Sequence, residues 1–395
     1  TMTSPVATTP TPSPGQGRIQ WLPGGEALFP AMLAAIHKAQ REIRLETYTF
    51  DPGRIGDQFR TALVTAAARG VKVQVLVDAV GSWNLPADYF QALAARGGVV
   101  RRFNPLHPAR FGVRDHRKLL VCDSHVVFIG GSNIADEYDG DGRTKGWCDM
   151  GLRLRDPDLA RRCARAFDEL FALWALDRKP RRQWRALRRP RRGVTRLPQE
   201  LLLIRPGIGA SPYQQFLYRD LKRARTVRIV TPYFLPTKRL RKELIRVLQR
   251  GGKVELLLAG QCDVAISQFA ARSLYARLLK AGATILEYQP QILHAKLVCL
   301  DDRVVYAGSS NFDIRSLDLN YELMLRLDDK TQAAQALQFL QQIRAGSQII
   351  TAAAWKNRET WWQRWRNHWS HFLLTRIDPL VALQQYQSIK IKRSA

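Results

Sequence analysis

From Glu26 to about Gln40 the apolar residues Leu28, Met32, Ala35, Ile36 and Ala39 recur at three- and four-residue spacing, which predicts an amphipathic helix. Ile43 to Phe50 reads as the strand that follows it. A second helix is predicted from Gly56 to Ala68 with a stop at Gly70, and then a strand from Val71 to Val77. A helix around Asp88 to Ala95 leads through Gly97-Gly98 into a short strand at Val99. Strands alternating with helices predict an α/β unit with a largely parallel sheet.

The same grammar returns later in the chain. AQREIRLETYTF near residue 39 is answered by ARTVRIVTPYFL near 224, and RGVKVQVLVD from Arg69 by RGGKVELLLAG from Arg250. Equivalent positions stay about 180 residues apart. That period is a duplication at the scale of a domain, not a solenoid repeat.

Each copy ends in one stretch of unusual chemistry. His116 to Asn133 reads HRKLLVCDSHVVFIGGSN, and His294 to Asn311 reads HAKLVCLDDRVVYAGSSN. In an extended strand, residues i and i+2 share a face, so His116 pairs with Lys118 and His294 with Lys296. Leu119 to Cys122 and Leu297 to Leu300 have the length of buried strands. Asp123 and Asp301 close those strands, where Asp readily binds turn backbone. The glycines of the GGSN and GSSN turns let backbone approach a ligand closely.

These residue types suit attack on a phosphodiester. A neutral imidazole adds no negative charge as it attacks, and a phosphohistidine splits one hard displacement into two. A second, protonated imidazole can donate to the leaving alkoxide and then take a proton from the incoming alcohol or water. Lys118 and Lys296, with Asn133 and Asn311, would hold the non-bridging oxygens. This chemistry requires no metal or other cofactor. Spacing alone does not say which histidine attacks.

Composition narrows the partners. The net charge of +28 over 395 residues implies a polyanion, either an anionic membrane surface or nucleic acid. The five cysteines form no CxxC pair, which favours small buried thiols and a reducing compartment. No run reaches the roughly 20 apolar residues of a membrane-spanning helix, and no signal-peptide core is apparent. Residues 1–17 are Thr-, Pro- and Ser-rich and read as unstructured. Asp177 to Gly193 is dense in arginine, either as a solvated linker or as a phosphate-contacting segment. In the tail, Trp361, Trp365, Trp369 and Phe372 share one face of a predicted helix, suiting a lipid interface or packing on the domains.

The duplicated pattern resembles the phospholipase D superfamily, whose signature is a repeated HxKxxxxD followed by GSxN. The stretches DHRKLLVCD, GGSNIADEY (Gly130 to Tyr138) and GSSNFDIRSLDLNYE (Gly308 to Glu322), with Asn104 to Leu106, are most similar to bacterial cardiolipin synthases. Gly131 departs from the pattern, which has Ser at that place.

The resemblance implies two homologous α/β domains, each a mixed, mostly parallel sheet flanked by helices, related by a pseudo-two-fold with the active site at their interface. The expected division is 1–17, domain 1 over 18–176, a basic linker over 177–196, domain 2 over 197–347, and a membrane-associating tail over 348–395. The implied catalytic signature is His116, Lys118, Asp123, His294, Lys296 and Asp301, with the two aspartates outside the immediate chemistry. Asn133, Asn311 and Ser309 are the expected phosphate-binding groups. Asp149 and Glu322, each opening a strand downstream of a motif, are expected to orient the histidines. The resemblance favours His116 as the attacking residue, and His107 is a candidate for the pocket border.

The expected reaction transfers a phosphatidyl group from phosphatidylglycerol to a second phosphatidyl lipid, giving cardiolipin, on the cytoplasmic face of a bacterial inner membrane. A phospholipid hydrolase, a nuclease of the same superfamily and a non-catalytic binding module are the other readings. The complete pair of His–Lys motifs disfavours the last, and the tail disfavours a nucleic-acid substrate.

Overall fold

The computed structural model describes residues 18–105, 112–173, 198–207, 209–358 and 360–377. The N-terminal segment, the arginine-rich linker, His107 and the end of the tail lie outside these residues.

The first sheet contains β1 (Ile19–Pro23), β2 (Glu42–Thr47), β3 (Lys72–Asp78), β4 (Val99–Phe103), β5 (Leu119–Cys122), β6 (Val126–Gly130) and β7 (Met150–Leu154), in the order β1-β7-β6-β5-β2-β3-β4. The second contains β8 (Gln199–Ile204), β9 (Thr226–Thr231), β10 (Lys253–Ala259), β11 (Thr284–Tyr288), β12 (Leu297–Leu300), β13 (Val304–Gly308), β14 (Glu322–Asp328) and β15 (Ser347–Ile350). Its order, β15-β11-β10-β9-β12-β13-β14-β8, repeats the first with one strand added. Both sheets are mixed, but the expectation of mostly parallel pairing is corrected. Parallel pairing is confined to β2–β3–β4 and β9–β10–β11, the strands joined by helical crossovers. The motif strands β5 and β12 enter antiparallel to β2 and β9 and continue as hairpins into β6 and β13. A two- or three-residue turn permits only antiparallel neighbours.

In the first half, α1 (Gly25–Lys38) and α2 (Arg54–Ala68) bury Phe29, Ile36, Phe59 and Leu63 against one sheet face, with α3 (Gln91–Ala94) at the edge. In the second, α5 (Pro212–Leu221), α6 (Lys238–Gln249), α7 (Ala265–Arg272) and α8 (Tyr275–Lys280) contribute to the corresponding outer core. The opposite faces of both sheets share one central core with α4 (Pro157–Leu173) and α9 (Lys330–Ala345). Strand alternation divides the residues between these layers: Leu119 and Val121 join the central core, Leu120 and Cys122 the outer one.

The tail is less separate than a boundary at residue 347 implies. β15 pairs antiparallel with β11, so the sheet runs on to Ile350. α10 (Ala352–Arg358) buries Trp355 against the Tyr275 ring at 4.9 Å, a core role for that tryptophan. α11 (Trp361–Phe372) then packs on α7 by its polar side: Asn367 and Ser370 are buried, and the Arg366 guanidinium lies 3.7 Å from the Phe269 ring centroid. Its tryptophans face outward.

Candidate active site

Each motif is tied by its backbone to the opposite half. The His116 N–H donates to Tyr321 O and the Tyr321 N–H to Arg114 O, both at 2.9 Å. Symmetrically, Cys148 N–H donates to Ile292 O and His294 N–H to Cys148 O, both at 2.8 Å. The residue after each bridge is a carboxylate, which therefore faces the other half's histidine. Glu322 Oε1 lies 3.0 Å from His116 Nδ1, and Asp149 Oδ2 lies 2.6 Å from His294 Nδ1. Both acids are fully buried. A carboxylate at Nδ1 fixes the ring and leaves Nε2 for chemistry.

The two pairs differ in proton affinity. Burial pushes Glu322 up to about 8, although the Lys118 ammonium opposes this. Burial also opposes charge on Asp149, yet Lys296 and His294 together hold it below the ordinary carboxylate range. Burial and Lys296 push His294 down to about 4, and burial with Lys118 takes His116 well below its usual value. Lys118 falls to about 7 and Lys296 to about 8, again chiefly through burial. An anion between the rings would raise the two histidines and two lysines again by supplying the missing counter-charge.

The histidines open onto one cavity of about 470 Å³, shared by both halves and reached by Asn133 and Asn311. Asn133 is braced, accepting from Thr49 N–H at 3.1 Å and donating to the Tyr138 hydroxyl at 2.8 Å. The buried Asn311 Oδ1 has no hydrogen-bond partner among the described residues. Lys296 Nζ lies against the His294 ring, 2.8 Å from Nδ1 and 3.0 Å from Nε2, and Lys118 Nζ donates to His116 O at 2.8 Å. Tyr48 packs edge-on against His116 at 5.1 Å, while Tyr138 and Trp147 pack against His294 at 5.2 and 5.4 Å.

Ser309 reaches the site indirectly: its hydroxyl donates to Glu322 Oε2 at 2.5 Å. At the equivalent Gly131, a Cβ would lie 2.4 Å from Asp149 Oδ1, so the shorter acid occupies the space a serine would need. Asp123 and Asp301 are not brought to the histidines, which corrects their inclusion with the catalytic residues. Asp123 accepts from the backbone of Gln40, Arg41 and Glu42, and Asp301 from Arg225 and Thr226. Both sit in left-handed turns, at φ 54° and 51°, and lock the motif strand to its neighbour.

The family described as "Cardiolipin synthase, PLD-like domain" matches residues 32–171 and 217–344. The chain belongs to this family. Among its relatives, cardiolipin synthase B of Escherichia coli K12 is 32% identical over 92% of this chain and 89% of its own length. Cardiolipin synthase A of Pseudomonas entomophila is 33% identical over 86% of this chain and 71% of its own. The solved phosphatidylserine synthase of Haemophilus influenzae superposes with a TM-score of 0.71 at 18% identity, covering 92% of this chain and 95% of that one, a likeness of fold.

Sequence reading of this family member missed Tyr48, Trp147, Arg114 and Arg315, all on the cavity wall. Arg315 and Tyr138 lay inside the quoted motif stretches, and aligning the two halves residue by residue would have drawn attention to both. Arg117, beside His116, is also functional in a structural sense: it is buried 2.6 Å from Glu46 beneath the site.

Proposed function

We propose that the protein is a phosphatidyltransferase of the cardiolipin synthase type, moving a phosphatidyl group from phosphatidylglycerol to the glycerol hydroxyl of a second phosphatidyl lipid through a phosphohistidine. The observation that carries this reading is the pair of imidazoles, each held at Nδ1 by a carboxylate from the other half, that open onto one cavity. One ring attacks phosphorus while the other protonates the departing glycerol, then deprotonates the incoming hydroxyl. Lys118, Lys296, Asn133 and Asn311 stabilise the non-bridging oxygens. Asp149 and Glu322 orient the rings, Ser309 acts through Glu322, and Asp123 with Asp301 holds the strand ends.

The outer face of α11 supports a lipid interface. Trp361, Trp362, Trp365 and Trp369 remain 50–64% exposed, with Phe372 at 46%. Trp365 and Trp369 stack at 6.0 Å, and Trp369 with Phe372 at 5.6 Å, forming one aromatic ridge. Leu374, just beyond it, lines the catalytic cavity, so the ridge leads to the site. Tryptophan favours the headgroup boundary, and exposed Arg364 adds attraction to anionic lipid of about 1 kcal/mol near the surface. No helix among the described residues is long and apolar enough to cross a membrane. We therefore place the protein peripherally, on the membrane surface.

Phosphatidylglycerol vesicles with EDTA test the proposal, with products identified by mass spectrometry. Cardiolipin and free glycerol in equal amounts are expected. Phosphatidic acid as the sole product would make the enzyme a hydrolase, and DNA cleavage without lipid turnover would make it a nuclease.

A further inference from the structure

The catalytic cavity is electrostatically lopsided although the chain that builds it is duplicated. Aligned on the GGSN and GSSN turns, Glu137 falls opposite Arg315, and both line the cavity. Arg315 stands at the His116 end, where its guanidinium donates to Gly112 O at 3.4 Å. Arg114, at the same end, is buried with its charge paired to Asp78 at 3.1 Å and its Nε donating to Val113 O at 2.7 Å. Asp78 and both arginines act electrostatically on Tyr48, the ring that packs against His116, with Asp78 offset by its partner Arg114. The His294 end is acidic. Glu137 and Asp263 both act on Tyr138, the ring that packs against His294, and the Tyr233 hydroxyl donates to Asp263 at 2.7 Å. Among the described residues, both arginines that line the cavity are thus at one end.

This distribution bears on which substrate goes where, given the phosphatidyltransferase reading. A lipid acceptor differs from water or glycerol in carrying a second phosphodiester anion, one glycerol away from the hydroxyl that attacks. That anion is attracted by the Arg315 guanidinium and repelled by Glu137 and Asp263 at the opposite end. We propose that the Arg315 end is the subsite for the acceptor lipid's own phosphate, so that the acceptor hydroxyl is delivered to His116 and the phosphatidyl group is carried on His294, not on the His116 that the family resemblance favours.

The steps balance. The His294 Nε2 lone pair forms the bond to phosphorus, and the phosphorus–oxygen bond to the donor's glycerol breaks. That oxygen takes the proton of His116 Nε2. The acceptor hydroxyl then returns a proton to His116 Nε2 as its oxygen bonds phosphorus, and the phosphorus–nitrogen bond breaks with its electron pair going back to His294.

The carboxylates fit these roles. Attack leaves a cationic phosphoryl-imidazolium, and Asp149, held ionised 2.6 Å from His294, stabilises that charge. Glu322, raised to about 8 by burial, keeps a proton at neutral pH that can pass to the His116 ring when the anionic donor enters. His116 also keeps more side-chain exposure than His294, 13% against 5%, as a ring that must meet successive alcohols requires.

Two experiments on the full-length protein test the inference. In the first, phosphatidylglycerol and deuterated glycerol compete as acceptors for the same charged enzyme, and the ratio of cardiolipin to deuterated phosphatidylglycerol is read by mass spectrometry. Arg315→Gln should lower that ratio roughly 10–100-fold, the worth of one charge-assisted hydrogen bond, and Glu137→Gln should not lower it. An unchanged ratio in Arg315→Gln, or a loss confined to Glu137→Gln, overturns the subsite. The second uses a phosphatidyl nitrophenyl ester, whose leaving group needs no proton. His116→Ala should release one equivalent of nitrophenol and remain charged on His294 in an alkaline digest, whereas His294→Ala should release none. The wild-type digest, which does not depend on a variant folding, should carry the adduct on the same residue. An adduct on His116 overturns the inference and leaves the covalent reading standing. Nitrophenol release with an adduct on neither histidine overturns both.

Discussion

At the scale of the residue, the site depends on how burial tunes a few ionisable groups. His116→Ala and His294→Ala should each lower kcat by at least about 10²–10⁴-fold, the usual worth of acid–base catalysis alone. Near-native turnover by either variant, measured on detergent-dispersed lipid, would remove it from the mechanism. Lys118 and Lys296 must be protonated to hold an anionic phosphate, yet in the free enzyme burial brings them to about 7 and about 8. Because kcat/KM reports the free enzyme, it should decline as pH rises through 7 to 8. The bound phosphodiester raises both lysines, so kcat should hold to higher pH. A kcat/KM profile flat to about pH 9 contradicts this. Gly131 gives a third expectation. A Cβ there meets both Asp149 oxygens, at 2.4 and 2.6 Å, so Gly131→Ser displaces the carboxylate from His294. Restoring the family's serine should therefore cost kcat about tenfold or more, and native activity in that variant would show that Asp149 does not position the ring.

At the scale of the element, the strands and motifs were legible in the sequence and their pairing was not. The apolar runs of β5 and β12 and the helical period of α1 and α2 record burial directly, since each face meets one environment. Antiparallel entry of β5 beside β2 depends on hydrogen bonds between strands far apart in the chain, which local periodicity does not encode. The same limit hid the crossing of the acids: Asp149 and Glu322 stand at matching places, but only the bridges at Cys148 and Tyr321 assign each to the other half's histidine. In α11 periodicity located one apolar face and could not say which way it looked. Asn367 and Ser370 against α7 answer that, turning the tryptophans outward. Replacing Trp365 and Trp369 together by Ala should leave the thermal midpoint nearly unchanged, abolish cosedimentation with phosphatidylglycerol vesicles, and spare activity on detergent-dispersed lipid. Unfolding of that variant would instead make the ridge part of the core.

At the scale of the molecule, duplication produced two near-copies, and chemistry requires that they differ. The sheets share strand order and a central core, and each contributes one histidine to a cavity lined by both halves and one carboxylate to the other half's histidine. Within that frame the copies diverge in Ser309 against Gly131, Glu322 against Asp149, and Arg315 against Glu137. These differences suit two imidazoles performing different tasks in one double displacement. Passage of phosphorus through a covalent histidine intermediate is tested most directly by the stereochemistry at phosphorus. Phosphatidylglycerol bearing a single sulfur-for-oxygen diastereomer at phosphorus is turned over with labelled glycerol as acceptor, and the configuration of the product is read by phosphorus NMR. Two in-line displacements predict overall retention, while inversion would mean that the acceptor attacks the donor directly and that no phosphohistidine forms.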